Sequence, residues 1–201
     1  MERTRSRTRL ARQERREQIL DAAEIVLARR EAADVTFEEI ADAAGVSRAL
    51  VYNYFGDRHG LVEAIYVRSV HELDVAVTAA LTSTRGAREA VAATVWAHLD
   101  MAEAKPAAYR HAAGETTFPG LAALEAERVE RLNAALGSET AGRIVARALL
   151  TATHAMVLGW LDDECREADR TAEVITAFIF GGLTAADRVG VHVRPTWTVP
   201  V

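Results

Sequence analysis

Residues Val35 to Arg58 read VTFEEIADAAGVSRALVYNYFGDR, two short helices with separate start signals joined at a glycine. The Thr36 hydroxyl is placed to accept from the Glu39 N–H. The Glu39 carboxylate can reach back to the Thr36 N–H, which makes a capping box. Val35 and Ile40 are spaced as a hydrophobic staple around that cap. Phe37, Ile40, Ala41 and Ala44 follow at helical spacing, and Gly45 suits the left-handed residue that ends such a helix. Ser47 caps the next helix, with Val46 and Val51 as its staple.

Only Gly45 and Val46 separate the first helix from the second cap, so the helices must cross steeply, as in a helix-turn-helix that reads DNA. At 3.6 residues per turn, Val51 and Phe55 point into the core, while Ala49 and Asn53 point outward. Leu50 and Tyr52 flank the outer face, and Arg48 begins it. Asparagine matches an adenine edge, arginine matches guanine, and alanine or leucine can touch a thymine methyl. The Thr36, Tyr52 and Tyr54 hydroxyls suit phosphate oxygens, which orient a protein without reading sequence, and Ser47 at the cap is a further DNA-binding candidate. An ordinary αα-hairpin with a solvated face is the competing interpretation. Two caps, two staples and a two-residue turn together argue against it.

The segment resembles the DNA-binding domain of TetR-family transcriptional regulators. The resemblance rests on Thr36 through Ser47, Val51 through Phe55, then Arg58 and Leu61. Arg16, Ile19, Leu20, Ala22, Ala23 and Val26 of the preceding helix extend it, so that it covers about residues 13–73. It implies phosphate contacts from Thr36, Tyr52, Tyr54 and Arg58, and base contacts from Arg48, Ala49, Leu50 and Asn53. Arg58 stands where the family more often has lysine, and Tyr54 where histidine is frequent.

The chain of 201 residues carries a net charge of −5, which at first sight disfavours DNA. Residues 1–16 nevertheless hold seven arginines against two glutamates, a local +5, so the remainder carries −10. A basic end on an acidic body suits a protein that meets DNA at one end. A basic arm over 1–12 could follow the backbone, enter a minor groove, or remain a solvated tail.

Half of the residues are hydrophobic, ample for a packed core, and no run of eighteen apolar residues signals a membrane span. The arginine-rich start excludes a secretory signal. The single Cys165 allows no internal disulfide, so a reduced, cytoplasmic setting is expected. Cys165 lies between Glu164 and Glu167, which disfavours a reactive thiolate. The six histidines show no metal-ligand spacing, and no nucleophile elbow, phosphate loop or dinucleotide fingerprint is present. Neither a metal, nor a cofactor, nor an enzyme activity is expected.

Beyond the helix-turn-helix the pattern stays helical. Asp57 is placed to cap a helix running toward Thr84, followed by helices over about 87–104, 121–136, 140–161 and 174–186. Pro106 reads as an interruption, and Gly114 and Pro119-Gly120 as turns. The fold class is therefore all-α: a three-helix helix-turn-helix domain over 13–73, a helical ligand-binding and dimerisation domain over 74–190, and a tail over 191–201. That makes about nine helices.

The helices at 140–161 and 174–186 are apolar on more than one side. In a monomer they could simply be core. The resemblance implies instead a four-helix bundle with a second copy, drawing on Leu149, Met156, Phe178, Ile179, Gly182 and Leu183. A two-fold homodimer would set two reading helices roughly 34–36 Å apart on double-stranded DNA, matching a palindromic operator. The resemblance further implies a small-molecule effector held in the helical body. Trp96, His98, Met101, Tyr109, His111, Phe118, His154 and Trp160 are the candidate lining, apolar with a few orienting polar groups. The expected function is a ligand-responsive repressor released from its operator by a small apolar molecule. The alternative is a helical ligand-binding or catalytic protein with only non-specific nucleic-acid affinity, recognised by steep salt dependence without sequence preference.

Overall fold

The computed structural model describes residues 2–27, 35–112, 118–136, 140–164 and 166–188, with side chains at 2–10, 111–112, 135–136 and 140–141 outside the description. Cys165, Gly114, Gly137 and the 191–201 tail lie outside the described residues. Among those described there are nine helices and no strand. They are α1 (Glu2–Leu27), α2 (Phe37–Ala44), α3 (Arg48–Phe55), α4 (Arg58–Leu81), α5 (Ala87–Ala104), α6 (Pro106–Ala112), α7 (Pro119–Leu136), α8 (Thr140–Asp162) and α9 (Ala168–Arg188).

The chain divides into two compact units, Met1–Arg68 and Ser69–Val201. In the first, α1 packs on α2, and α2 on α3. Ile19, Leu20 and Ala23 of α1 bury against a core that also takes Val35, Ile40, Val51, Leu61 and Ile65. Arg68 ties the first half of α4 to α1, reaching Asp21 and Glu24 at 2.7 Å and Glu17 at 3.4 Å. Its side chain is only 13% exposed, so these pairs are screened less than surface ones. The helix α1 begins at Glu2 and runs through the arginine-rich segment.

In the second unit, α5 packs against α8 and α9, and α7 against α8. Their core includes Val95, Leu99, Val129, Val157, Trp160, Leu161, Ile175 and Ile179. Pro106 and Pro119 open α6 and α7 rather than breaking them into turns, because proline fits the first helical turn, where its missing N–H has no intrahelical partner. Asp57 caps α4 through Oδ1, which accepts from the Gly60 N–H at 2.8 Å.

One described helix, Gly142–Asp162, is apolar and long enough to cross a membrane by length and composition, with mean hydropathy 1.5. Arg143 and Arg147 interrupt its apolar pattern near the start. The helix is rich in Ala, Leu and Val, one side facing the core and the other side carrying small residues.

Candidate DNA-reading face and ligand cavity

The turn between α2 and α3 forms as its side chains dictate. Thr36 is extended, its Oγ1 accepts from the Glu39 N–H at 3.3 Å, and Glu39 Oε2 accepts from the Thr36 N–H at 2.9 Å. Gly45 adopts φ 64° and ψ 36°, the left-handed conformation that lets the chain reverse. The Gly45 and Val46 N–H groups then donate to the carbonyls of Asp42 and Ala41 at 3.1 and 2.9 Å. Ser47 Oγ accepts from the Leu50 N–H at 3.2 Å and starts α3.

Burial divides α3 cleanly. Val51 and Phe55 are in the core, Arg48, Ala49, Tyr52 and Asn53 are exposed, and Leu50 and Tyr54 are half-buried. Thr36, Ser47 and Arg58 are exposed as well. Tyr52 sets its ring edge-on to Phe37 at 4.6 Å, and its hydroxyl accepts from Arg48 Nη2 at 3.3 Å. The Arg48 guanidinium lies 5.5 Å from the Tyr52 ring centroid, so Tyr52 pre-orients the first arginine of the outer face.

Two arginines of α1 lie against aromatic rings of α3. Arg12 sits 5.8 Å from the Tyr54 ring and Arg16 5.5 Å from the Phe55 ring. Their i, i+4 spacing, in phase with Leu20, was the available signal. Gln18 adds a link by donating to the Ala44 carbonyl at 2.8 Å. The exposed face can do two kinds of chemistry: donate charged hydrogen bonds to phosphates, and present Arg48, Ala49 and Asn53 to base edges.

The second unit holds a cavity of about 210 Å³, lined from α4, α5, α6, α7 and α8 and open at the exposed Thr151 and Ala155. Of the expected residues, it brings together His98, Met101, Tyr109 and His154. Trp96 is instead on the surface at 37% exposure, and Trp160 belongs to the core. Phe118 is buried but does not line the cavity. The side chain of His111 is outside the description. Leu73, Leu121, Glu125, Arg128 and Leu158 complete much of the wall and were not foreseen.

The polar groups of the cavity are organised around Tyr109. Its hydroxyl shares a 2.8 Å hydrogen bond with His98 Nδ1, and its ring stacks on His154 with centroids 4.4 Å apart. Burial, with the positive charge of Arg128 and the neighbouring His154, pushes the His98 imidazole down to about 3. Burial and Arg128 likewise push His154 down to about 4. Burial raises the Tyr109 hydroxyl well above its usual range. At neutral pH all three groups are therefore uncharged, and Arg128 is the nearby cation. Arg128 Nε pairs with Asp74 at 2.9 Å, and Arg131 meets the same carboxylate at 2.5 Å. No group of histidine, cysteine and carboxylate side chains among the described residues could hold a metal ion.

The residues expected at a subunit interface fall on different sides of their helices. Ile179 and Leu183 are in the protomer's own core, Leu149 and Met156 are half-buried beside it, and only Phe178 and Gly182 are exposed. The outward stripe of α9 is instead Val174, Ala177, Phe178, Gly181 and Ala185, and that of α8 is Ile144, Ala148, Thr151, Ala155 and Gly159.

One unit is thus a helix-turn-helix with an exposed polar α3 face, and the other is a helical body with a partly open cavity. Residues 19–65 match the model of bacterial regulatory proteins of the tetR family. It is 38% identical over 81 residues to the HTH-type transcriptional regulator BetI of Brucella anthropi, spanning 40% of this chain and 42% of that protein. It is also 38% identical over 102 residues to the HTH-type transcriptional activator FasR of Mycolicibacterium smegmatis, spanning 51% of this chain and 47% of that one. The matched region is thus less than half the length of these curated relatives. A TetR-family regulator from Streptomyces coelicolor of known structure shares the fold, with a TM-score of 0.67 and 24% identity over 90% of this chain and 87% of that one.

Proposed function

We propose that the chain is a sequence-specific DNA-binding transcriptional regulator that answers to a small molecule, acting as a cytoplasmic homodimer on a palindromic operator. The observation that carries this is the doubly capped α2–α3 turn with Arg48, Ala49 and Asn53 exposed on one face, inside the segment that matches the tetR family. Thr36, Ser47, Tyr52, Tyr54 and Arg58 are its phosphate-facing residues, with Arg12 beside Tyr54 as an addition.

The homodimer is supported by the outward apolar stripes of α8 and α9. Ile144 is 70% exposed and Phe178 62%, and the small residues around them allow a partner helix to approach closely. The cavity supplies a place for the effector. A compound bound there lowers DNA affinity only if it prefers the conformation whose two reading helices are wrongly spaced. Repression relieved by the ligand is the expected output. A reporter fused to the regulated promoter tests it, since deletion of the protein raises expression under repression and lowers it under activation.

A gel shift with the DNA upstream of the protein's own coding region is the first test. A discrete complex that survives competitor DNA at moderate salt supports the proposal. Binding that falls steeply with salt and shows no preferred duplex favours a non-specific nucleic-acid contact instead.

A further inference from the structure

We propose that the effector is a compact organic monocarboxylate, an apolar body of about ring size whose carboxylate docks between Arg128 and His154. The inference deepens the ligand-response reading above and rests on it for its regulatory meaning, but not for binding itself.

Size comes first. An apolar cavity of about 150 Å³ accommodates benzene, and drug-sized ligands occupy roughly 300–1,000 Å³. At about 210 Å³, this cavity suits a single ring with a short substituent and excludes a long acyl chain in the same conformation. Val70, Leu73, Met101, Leu121, Leu150 and Leu158 provide the apolar wall for that body.

The polar end follows from what is left over. Arg128 meets Asp74 through Nε at 2.9 Å, and its side chain lines the cavity. Asp74 is shared with Arg131, so one carboxylate faces two guanidinium groups and the cluster retains a positive charge. A carboxylate is the ligand group that a guanidinium fork binds in two parallel hydrogen bonds. His154 Nε2 is buried without a hydrogen-bond partner, an arrangement that is costly unless a ligand or water completes it. A carboxyl group serves either tautomer of that ring: its oxygens accept from an N–H, and its protonated form donates to a bare nitrogen. The stack on Tyr109 fixes the imidazole plane, and the Tyr109–His98 hydrogen bond fixes Tyr109.

Glu125 limits the charge. It lines the cavity one helical turn from Arg128, and its nearest recorded cation, Arg147, is 3.9 Å away. A second carboxylate on the ligand would meet it, so one negative charge is favoured and two are not.

Isothermal titration calorimetry on the full-length protein, without DNA, tests this with benzoate, benzamide, toluene, phthalate and decanoate. Benzoate is expected to bind at least tenfold more tightly than each of the others. Two variants locate the contact. Arg128→Lys keeps a cation for Asp74 but loses the fork, and His154→Phe keeps a ring for the Tyr109 stack but loses Nε2. Each should weaken benzoate at least tenfold while keeping a cooperative thermal melt. If either melts early, the other decides.

Equal or tighter binding of benzamide or toluene overturns the carboxylate assignment, and tighter binding of decanoate overturns the size assignment. Benzoate binding unchanged in both variants overturns the site, and no heat with any probe overturns the inference as a whole. A gel shift without ligand is scored separately, so loss of DNA binding would sink the regulatory proposal and leave the calorimetric result standing.

Discussion

The imidazole of His154 lies flat on the phenol ring of Tyr109, 10° from parallel with centroids 4.4 Å apart, in a cavity where neither group carries a charge at neutral pH. Tyr109 in turn holds His98, so three aromatic side chains from α5, α6 and α8 form one hydrogen-bonded and stacked unit. Its neutrality is a consequence of burial and of Arg128, and it makes the protein's stability depend on pH.

His98 and His154 are pushed down to about 3 and about 4 from an ordinary 6.5. Between those values the unfolded chain binds protons that the folded chain refuses. The sign is therefore fixed: stability is complete above about pH 6.5 and declines as the pH falls toward 4. Urea melts at pH 7.5 and 5.0 should show a lower midpoint at 5.0. In His98→Gln, which can still accept from the Tyr109 hydroxyl, the drop between the two pH values should be smaller. An identical drop in wild type and variant would remove His98 from the account.

Two glycines near the reading helix have different reasons to be glycine. Gly45 has open space around it, and only its φ of 64° resists a side chain, so Gly45→Ala should cost about 1–2 kcal/mol. At Gly60 an added Cβ would stand 2.2 Å from the Phe55 carbonyl oxygen, a collision with backbone that no rotamer relieves. Gly60→Ala should lower the urea midpoint by more than Gly45→Ala, and the reverse order would refute the steric explanation.

On the DNA face, Asn53→Ala should weaken operator binding by about 1–3 kcal/mol while leaving binding to random duplex nearly unchanged. Arg58→Ala should weaken both together and reduce the salt slope by about 1. Fluorescence anisotropy on operator and scrambled duplexes at several salt concentrations separates the two. Equal losses on both duplexes for Asn53→Ala would show that it does not read bases.

Neighbouring positions on α9 should behave oppositely. Phe178 is 62% exposed, and Phe178→Asp is expected to leave the melting temperature of the protomer fold largely intact while shifting light scattering toward a monomer. Ile179 is 6% exposed in the core, and Ile179→Ala should cost about 2–4 kcal/mol in a denaturant melt. A Phe178→Asp protein that stays dimeric would move the interface elsewhere.

The α2–α3 unit was legible because its signals are local. Thr36, Gly45 and Ser47 act on partners within five residues, so sequence spacing is nearly the geometry. The cavity was half legible. His98, Tyr109 and His154 stand out by residue type, but Arg128 gains its meaning from Asp74, fifty-four positions away, and no periodicity reports such a pairing. Trp96 misled because a large aromatic on an amphipathic helix looks internal, whereas its place on α5 is at the surface. On α9, apolar residues encircle the helix, so Phe178 and Ile179 could not be assigned to sides before the neighbours were known.

The brevity of α3 has an arithmetical consequence. Eight residues, with three or four side chains facing outward, can distinguish about four base pairs, which is one address in roughly 256, while a genome offers on the order of a million or more competing positions. A single copy of this helix therefore carries far too little information to locate a promoter. The missing bits have to come from a second copy at a fixed distance, so the spacing between copies is itself part of the message.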